Sequence, residues 1–324
     1  HPPAEIAALR AYLRQRERLL DYAAQHVQHM QKALTQVNLK LPQVVADITG
    51  RTGMQIIRAI LAGTHDPRVL ANFRDRRCRR SVEEIAHALE GHYRPEHLFA
   101  LQQAVALYDT YQAQIAACDQ RIEAALAPLR APEPPADPLP PPTGTTRQKN
   151  ALAFDVRAAL YGIVGVDLTQ IHGLGTSLAL KLVAECGTDL SAWPTAKQFV
   201  SWLCLSPGNK ISGGKLLSAR TRRTSNRATS LLRLAAVSVG KTESALGAFY
   251  RRLAMRVGKA KAITATARKL AILFYNTLRH GRDYRDPGAS AYENRHRERV
   301  LHHLERRARQ LGYVLEPAPV AGVS

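Results

Sequence analysis

Hydrophobic residues in the first part of the chain recur at three- and four-residue steps, the spacing that places them on one face of an α-helix. Two long segments, 4–36 and 95–129, carry a narrow apolar stripe of this kind between charged positions. We expect them to form an antiparallel coiled coil, either across a dimer or as core packing inside one domain. The first stripe contains Ile6, Leu9, Leu13, Leu20, Val27, Met30 and Leu34, and the second contains Leu98, Leu101, Val105, Tyr108, Ile115, Ile122 and Leu126.

Residues 37–94, between the two long segments, have shorter apolar runs that predict an insert of short helices. Ser81 and Glu84 have the spacing of a capping box, in which each side chain bonds the other residue's backbone amide. A basic stretch, RDRRCRR at 74–80, predicts a solvated loop. Residues 1–131 are therefore predicted to be one helical domain with an insert.

Seven prolines between 132 and 142 interrupt the helical pattern and predict a stiff extended linker over 132–150. Helical periodicity returns in a predicted domain at 151–285, with helices near 226–239, 242–256 and 260–280. The buried face of the first is expected to contain Leu231, Leu234 and Ala235.

The last segment, 286–324, predicts a charged helix near 291–310 and a disordered tail, EPAPVAGVS. Strand patterns are weak along the whole chain. The predicted fold class is therefore mainly α, with long coiled-coil helices and a helical insert followed by a compact helical domain.

The net charge of the chain indicates the class of partner that it binds. The chain has 46 Lys and Arg against 26 Asp and Glu, a net charge of +20. Between 205 and 282 there are seventeen Lys and Arg and one acid, Glu243. A solvated helix face normally mixes both signs, so this excess predicts a polyanion partner, with nucleic acid favoured over an acidic membrane. No apolar run is long enough to span a membrane.

The cysteines limit the chemistry further. Cys78, Cys118, Cys186 and Cys204 are far apart and none belongs to a Cys-x-x-Cys pair, so the sequence predicts neither a zinc site nor a disulfide framework. This usage fits a reducing cytosol.

Gly173 and Gly175 flank one apolar residue and lead directly into a predicted helix, in GLGTSLALKL. Such a turn resembles the hairpin of helix-hairpin-helix modules, where glycines let the backbone approach a phosphate and amides of the helix N-terminus point at it. The alternative is a plain turn between helices.

Ser212 precedes two glycines in the sequence CLSPGNKISGGKLLSARTRR, at 204–223. A serine in such a cationic segment is a candidate nucleophile toward phosphorus, with arginines stabilising the charge that develops on the phosphate. An ordinary turn is the alternative, and no general base is visible in the sequence. The predicted nucleic-acid-binding residues are Gly173, Gly175, Lys210, Lys215, Arg220, Arg222, Arg223, Arg227, Arg233, Lys259, Lys261 and Arg268.

The order of segments from YGIVGVDLTQIHGLG through FVSWLCLSPGNKISGGK and SNRATSLLRLAAVSVG to FYRRLAMRVGKAKAITATARKLAILFYNTL resembles the C-terminal transposase domain of the insertion sequence 110 family. This resemblance covers about 151–285, and the preceding helices look like the family's central coiled coil. It implies a DNA recombinase that moves an insertion sequence, with a serine that becomes covalently linked to DNA. Ser212 matches that serine by its place in a Ser-Gly step.

The resemblance also implies partners and a cofactor. The family pairs a bridge RNA with target and donor DNA, so we expect DNA, a structured guide RNA, and a homodimer or higher oligomer. A bacterial, cytoplasmic, nucleoid-associated protein is implied, with no membrane partner. The family's RuvC-like domain, whose Asp-Glu-Asp-Asp tetrad binds Mg²⁺, would precede His1. We therefore expect a truncated chain that has no cofactor of its own and is impaired in strand cleavage.

Two other functions stay open on the sequence alone. The chain could be a non-catalytic DNA- or RNA-binding remnant or accessory module. It could also be a structural coiled-coil protein whose basic half meets acidic partners. Asp47, Asp155 and Asp167 are expected to be structural or capping residues rather than metal ligands.

Overall fold

A computed structural model describes residues 3–133, 135, 137–142, 148–282 and 284–316. Within this part of the chain there are thirteen α-helices and one two-stranded sheet, which confirms the predicted mainly α class. The predicted disordered tail, apart from Glu316, and residues 143–147 of the predicted linker lie outside the described residues. The chain divides into two compact units, one of residues 11–125 and one of residues 1–10 with 126–324.

The unit of residues 11–125 is a pair of long helices with a small helical insert. Its helices are α1 (Ala4–Gln36), which starts in the other unit, α2 (Leu41–Val44), α3 (Arg51–Leu61), α4 (Pro67–Ala71), α5 (Val82–Ala88) and α6 (Pro95–Leu126). The predicted capping box is confirmed at α5, where the Ser81 hydroxyl accepts from the Glu84 amide and the Glu84 carboxylate accepts from the Ser81 amide.

The two long helices of this unit run antiparallel within one chain. Leu19 packs with Ile115, and the rings of Tyr22 and Tyr111 lie 5.7 Å apart. Later residues of α1 therefore contact earlier residues of α6, as in an antiparallel pair. A buried ion pair joins Arg16 to Asp119, whose side chains are 7% and 6% exposed. The stripes seen in the sequence thus pack inside one chain, and a coiled coil across a dimer stays a prediction.

The other unit is built on α12 (Lys259–His280), which packs against α9 (Ala196–Trp202), α10 (Arg227–Val239) and α11 (Ala245–Val257). The core of this unit contains the buried side chains of Phe199, Leu232, Leu270 and Phe274. Removing such large apolar side chains from water stabilises the fold. The unit also contains α7 (Val156–Val164), a 3₁₀ turn (Leu168–Gln170), α8 (Thr176–Cys186), β1 (Lys210–Ser212), β2 (Lys215–Ser218) and α13 (Gly288–Gln310).

The predicted linker is held against this unit. The backbone carbonyl of Pro140 accepts from Arg157 at 2.5 Å, and that of Pro141 accepts from Gln170 at 3.1 Å. Arg157 also bonds Asp167, which caps the 3₁₀ turn by accepting from the Thr169 amide. Asp155 caps α7, so both aspartates have the capping roles expected from the sequence. The predicted domain boundaries themselves stay a prediction.

One predicted buried face is wrong in detail. Leu234 is 66% exposed and Leu231 is half-buried, whereas Ala235 is buried as predicted. The buried face of α10 also contains Leu232, Ala236 and Val239. The charged helix begins at Gly288, three residues before its predicted start. Of the described helices, none is long and apolar enough to cross a membrane.

Candidate nucleic-acid interface

Ser212 ends the first strand of an exposed β-hairpin, where the sequence predicted only a glycine-rich step. Gly213 and Gly214 form the two-residue turn with φ of +53° and +73°, and nothing lies within 4 Å of a Cβ built on either. A turn with two positive φ values matches the twist of paired strands and strongly favours glycine at both positions. The Gly-Gly pair therefore places Ser212 at the tip of the hairpin.

The hairpin has two faces of different chemistry. Ser212 pairs directly with Lys215 across the strands, so their Cβ atoms lie about 5 Å apart on one face. Lys210 lies two residues before Ser212 on β1 and pairs with Ser218, with an irregularity in the strand register between Lys210 and Ile211. Ile211 pairs with Leu216 on the opposite face, and these side chains are 66% and 57% exposed. The tip thus presents a serine between two lysines.

The hydroxyl of Ser212 is exposed and makes no hydrogen bond to any residue that the structure describes. The fold therefore leaves it open to a molecule from solvent. No general base contacts it in the described part of the chain.

The predicted arginines lie at the base of the hairpin. Pro207 bridges Thr221 there, and the Gly208 amide donates to the Arg220 carbonyl at 3.0 Å. The guanidinium group of Arg222 donates to the carbonyl of Ser201 at 2.8 Å, which ties the hairpin to the end of α9. Arg222 therefore has an anchoring role that the sequence did not reveal, and it is exposed like Arg220 and Arg223.

The hairpin separates these cations into two groups. Ser212 lies five residues after Pro207, and β1 itself begins at Lys210, so at about 3.3 Å a residue the two are separated by at most about 16 Å. Lys210 and Lys215 are the close neighbours of the serine, and the arginines are a hairpin's length away. A phosphate at the serine would therefore meet the lysines first.

Of the two predicted arginines on α10, Arg227 lies near a carboxylate that partly neutralises it, and Arg233 is half-buried. Arg227 approaches the carboxylate of Glu185 at 3.6 Å, and Arg10 approaches the same group at 3.6 Å. Arg10 also donates to the carbonyl of Ala184 at 2.9 Å, so it holds the end of α8. Arg233 is half-buried, and its Nε has no acceptor among the described residues.

The predicted residues of α12 fall in two classes. Lys259 and Lys261 are exposed in its first turn, and Arg268 is half-buried further along. None of these three has an acidic partner within the described residues. The first turn of α12 is thus a second exposed cationic site on the unit that carries the hairpin.

The two glycines of the predicted helix-hairpin-helix turn face protein. Gly173 has φ of +92°, and a Cβ there would lie 2.3 Å from Val239 Cγ2. At Gly175, the N-cap of α8, a Cβ would lie 2.5 Å from Gln148 Nε2, and Gln148 also accepts from the Ser177 hydroxyl. Close packing accounts for Gly173, and Gln148 covers the start of α8. A phosphate-binding role for this turn stays a prediction.

Sequence reasoning missed a groove between α11 and α13, here called the α11–α13 groove. It has a volume of about 1000 Å³, and its lining includes Phe249, Arg252, Arg256, Tyr292, His296 and Arg299. Three of these residues lie on the charged terminal helix, which the sequence analysis left without a function. Two aromatic residues among arginines were the available signal.

Comparison with known proteins gives one family. Residues 167–251 match the model of the Transposase IS116/IS110/IS902 family. The matched segment begins at the cap of the 3₁₀ turn and includes α8, α9, the whole hairpin, α10 and the first half of α11. No curated protein matches the chain.

Proposed function

We propose that this chain, whose residues 167–251 match the model of the IS116/IS110/IS902 transposase family, acts as a DNA transposase or site-specific recombinase in which Ser212 attacks a phosphodiester. The observation that carries the proposal is the position of Ser212 at the tip of an exposed hairpin inside the matched segment, with Lys215 directly opposite. The transposase role comes from the family, and the role of the serine is our inference.

The hairpin tip suits the approach of a bulky polyanion. Gly213 and Gly214 carry no side chains, so a sugar-phosphate backbone can come close to the Ser212 hydroxyl. Lys215, directly opposite Ser212, and Lys210, two residues before it on β1, can bind the non-bridging oxygens of that phosphate. Their charge would offset the negative charge that increases on those oxygens during attack.

The proposed step exchanges one ester bond for another. The Ser212 oxygen forms a bond to phosphorus, the bond between phosphorus and one bridging sugar oxygen breaks, and the phosphate remains attached to the protein as a diester. The serine proton leaves to a base, and the departing sugar oxygen takes up a proton. A serine hydroxyl is a weak nucleophile until a base activates it. We assign no residue of this chain to that base.

The arginines at the hairpin base would hold flanking phosphates rather than the scissile one. Phosphates along one strand of a duplex repeat at about 3.4 Å along the axis, so a separation of up to about 16 Å between the tip and the base of the hairpin spans at most about five of them. Arg220 and Arg223 are exposed at the end of this span. Together with the tip lysines they form a stripe of positive charge that matches an extended polyanion.

The Mg²⁺ that the resemblance implies finds no cluster of ligands in the described residues. No group of three or more His, Cys, Asp or Glu side chains there could hold a metal ion. Asp155 and Asp167 bond backbone amides and arginine instead. The proposed step is therefore written with this chain's own side chains, and a magnesium-binding domain, a structured guide RNA and a dimer stay predictions.

A covalent adduct tests the proposal. The chain is incubated with labelled insertion-sequence ends and the element's non-coding RNA, with a magnesium-binding nuclease domain of the family supplied in trans, and adducts are resolved on a denaturing gel. We expect a labelled protein band that Ser212→Ala abolishes and that peptide mapping assigns to Ser212. The matched control is Ser218→Ala on β2 of the same hairpin, which should leave the band unchanged. An adduct that persists in Ser212→Ala, or no adduct in the unaltered chain, would refute the nucleophile.

A non-catalytic binding module is the second candidate, and it is favoured because Ser212 contacts no base among the residues that the structure describes. Such a module would bind DNA in a salt-sensitive way that Ser212→Ala leaves unchanged. Charge reversal at Arg220 and Arg223 would weaken that binding. These two residues are better probes than Arg222, because replacing Arg222 also removes its bond to Ser201.

A further inference from the structure

The α11–α13 groove combines positive charge with aromatic side chains, outside the hairpin. Only Phe249 and Arg251 of its lining fall within the matched segment, whose last residue is 251, so the family match assigns the groove no role. Its volume of about 1000 Å³ lies at the upper end of pockets that take organic ligands.

The guanidinium groups of the groove are only partly neutralised. Arg252 pairs with the carboxylate of Glu293, yet its Nε is buried without an acceptor in the described structure. The Nε of Arg299 donates to the carbonyl of Arg295 at 3.2 Å, which leaves its terminal nitrogens available. Arg256 is exposed and has no partner among the described residues. An anion is therefore the complementary ligand.

The titration of neighbouring groups reflects the same excess of positive charge. Partial burial lowers the pKa of His296, and the charges of Arg252, Arg299 and Arg256 lower it further. Burial likewise lowers the pKa of Lys269, with an additional contribution from Arg299. A bound phosphate would offset this repulsion.

The aromatic residues point to the kind of anion. Phe249 and Tyr292 meet edge to face with centroids 6.2 Å apart, and both line the groove. The ammonium group of Lys269 lies 4.6 Å from the centre of the Phe249 ring, which helps to fix that ring. Aromatic rings beside cations are typical of sites for single-stranded nucleic acid, because unpaired bases stack on the rings while phosphates bind the cations. In a duplex the bases are already stacked and unavailable.

We propose that the α11–α13 groove binds a single-stranded nucleic-acid segment, with phosphates held by Arg256 and Arg299 and an unpaired base stacked on Tyr292. The inference rests on the proposed function only in taking nucleic acid as the ligand, and it adds a contact surface separate from the hairpin. DNA and RNA share the chemistry that the groove recognises, and the experiment separates them.

Fluorescence anisotropy of the full chain tests this site with a labelled oligothymidylate, an oligouridylate and a blunt duplex of equal length. The test variant is Arg256→Glu with Arg299→Glu. The control is Arg297→Glu with Arg309→Glu, which makes the same change in net charge on exposed residues of α13 that do not line the groove. Circular dichroism melting confirms that both variants remain folded.

We expect the groove variant to lose at least about 25-fold in single-strand affinity at about 0.1 M salt, since each lost phosphate contact changes the salt slope by about 0.7 for single strands. The control should lose much less. Tyr292→Leu should weaken single-strand binding by about fivefold or more and leave duplex binding unchanged, because it removes only stacking. A preference for either oligouridylate or oligothymidylate supports the site and identifies the strand.

Three outcomes would refute single-strand binding by the α11–α13 groove. These are equal losses of affinity in the test and control variants, equal losses of duplex and single-strand affinity in Tyr292→Leu, or no binding of any probe by the unaltered chain. If an adduct forms at Ser212 and the groove variant keeps its single-strand affinity, this inference is rejected and the proposed function stands. If the groove variant loses single-strand affinity and no adduct forms, the inference stands and the proposed nucleophile is rejected.

Discussion

Replacing Gly173 by alanine decides whether this glycine serves packing or phosphate binding. Its φ of +92° lies in the left-handed region, where an L-residue pays roughly 1–2 kcal/mol. The new Cβ would also lie 2.3 Å from Val239 Cγ2 and 3.2 Å from the Ala235 carbonyl oxygen, and overpacking of this kind costs typically 1–3 kcal/mol. We therefore expect Gly173→Ala to destabilise its unit by about 3 kcal/mol.

Thermal unfolding followed by circular dichroism measures this effect. For a unit of about 200 residues, a loss of about 3 kcal/mol lowers Tm by about 6 to 12 °C. The matched control is Gly175→Ala, because Gly175 has an ordinary φ of −69° and its Cβ would meet only the flexible end of Gln148. The control should change Tm by a few degrees at most.

A double-mutant cycle with Val239→Ala isolates the clash. Shortening Val239 removes the methyl group nearest to the new Cβ, so the double variant should be more stable than the sum of the single effects predicts. The packing argument fails if Gly173→Ala leaves Tm unchanged and instead weakens DNA binding. That result would favour the phosphate-binding turn predicted from the sequence.

Two further predictions concern buried charge. Asp119→Ala should destabilise the unit of residues 11–125 by about 3–5 kcal/mol in urea unfolding, because it removes the buried carboxylate that pairs with the Arg16 guanidinium. The double change Arg16→Met with Asp119→Leu should recover most of the loss, and an effect of under about 1 kcal/mol, as for an exposed pair, would contradict the importance of burial. Burial alone would raise the pKa of Asp167, but hydrogen bonds from Arg157, Thr169 and Gln170 lower it overall from its ordinary value of 3.8. The Asp167 carboxylate therefore stabilises the fold at pH values above this ordinary pKa, and the stabilisation is lost as the pH falls through the lower pKa of the folded state. The Tm difference between the unaltered chain and Asp167→Asn should accordingly be largest near neutral pH and shrink below about pH 4, and a difference that grows on acidification would reverse this sign.

Helices were predictable wherever apolar spacing or a local cap specifies them. The capping box at Ser81 and the long helices follow from residues a few positions apart, which interact whatever the rest of the chain does. The hairpin was not predicted, because β1 and β2 have only three and four residues, and these are too few for an alternating pattern to register. Its two glycines were seen, but as a flexible step rather than as a turn with two positive φ values.

The candidate site was likewise predictable from the sequence only in part. Ser212 and the excess of cations around it were visible in the sequence, since charge and residue type are read directly. Which cations accompany the serine was not visible, because Lys215 reaches it through strand pairing while Arg222 is drawn to the end of α9 and Arg227 to Glu185. These partners are 21 and 42 positions away from the arginines they bind, beyond the reach of any local pattern.

The sequence by itself determined the helical class, the excess of positive charge that predicts a polyanion partner, and the resemblance to a transposase family, since these depend on composition, local spacing and the order of motifs. Only the tertiary structure showed that Gly173 packs closely against Val239, that Lys215 pairs directly with Ser212, and that α11 and α13 form a groove. The physical reason is that steric contact and the strength of a charge depend on distances in space, and chain folding brings together residues that the sequence keeps apart.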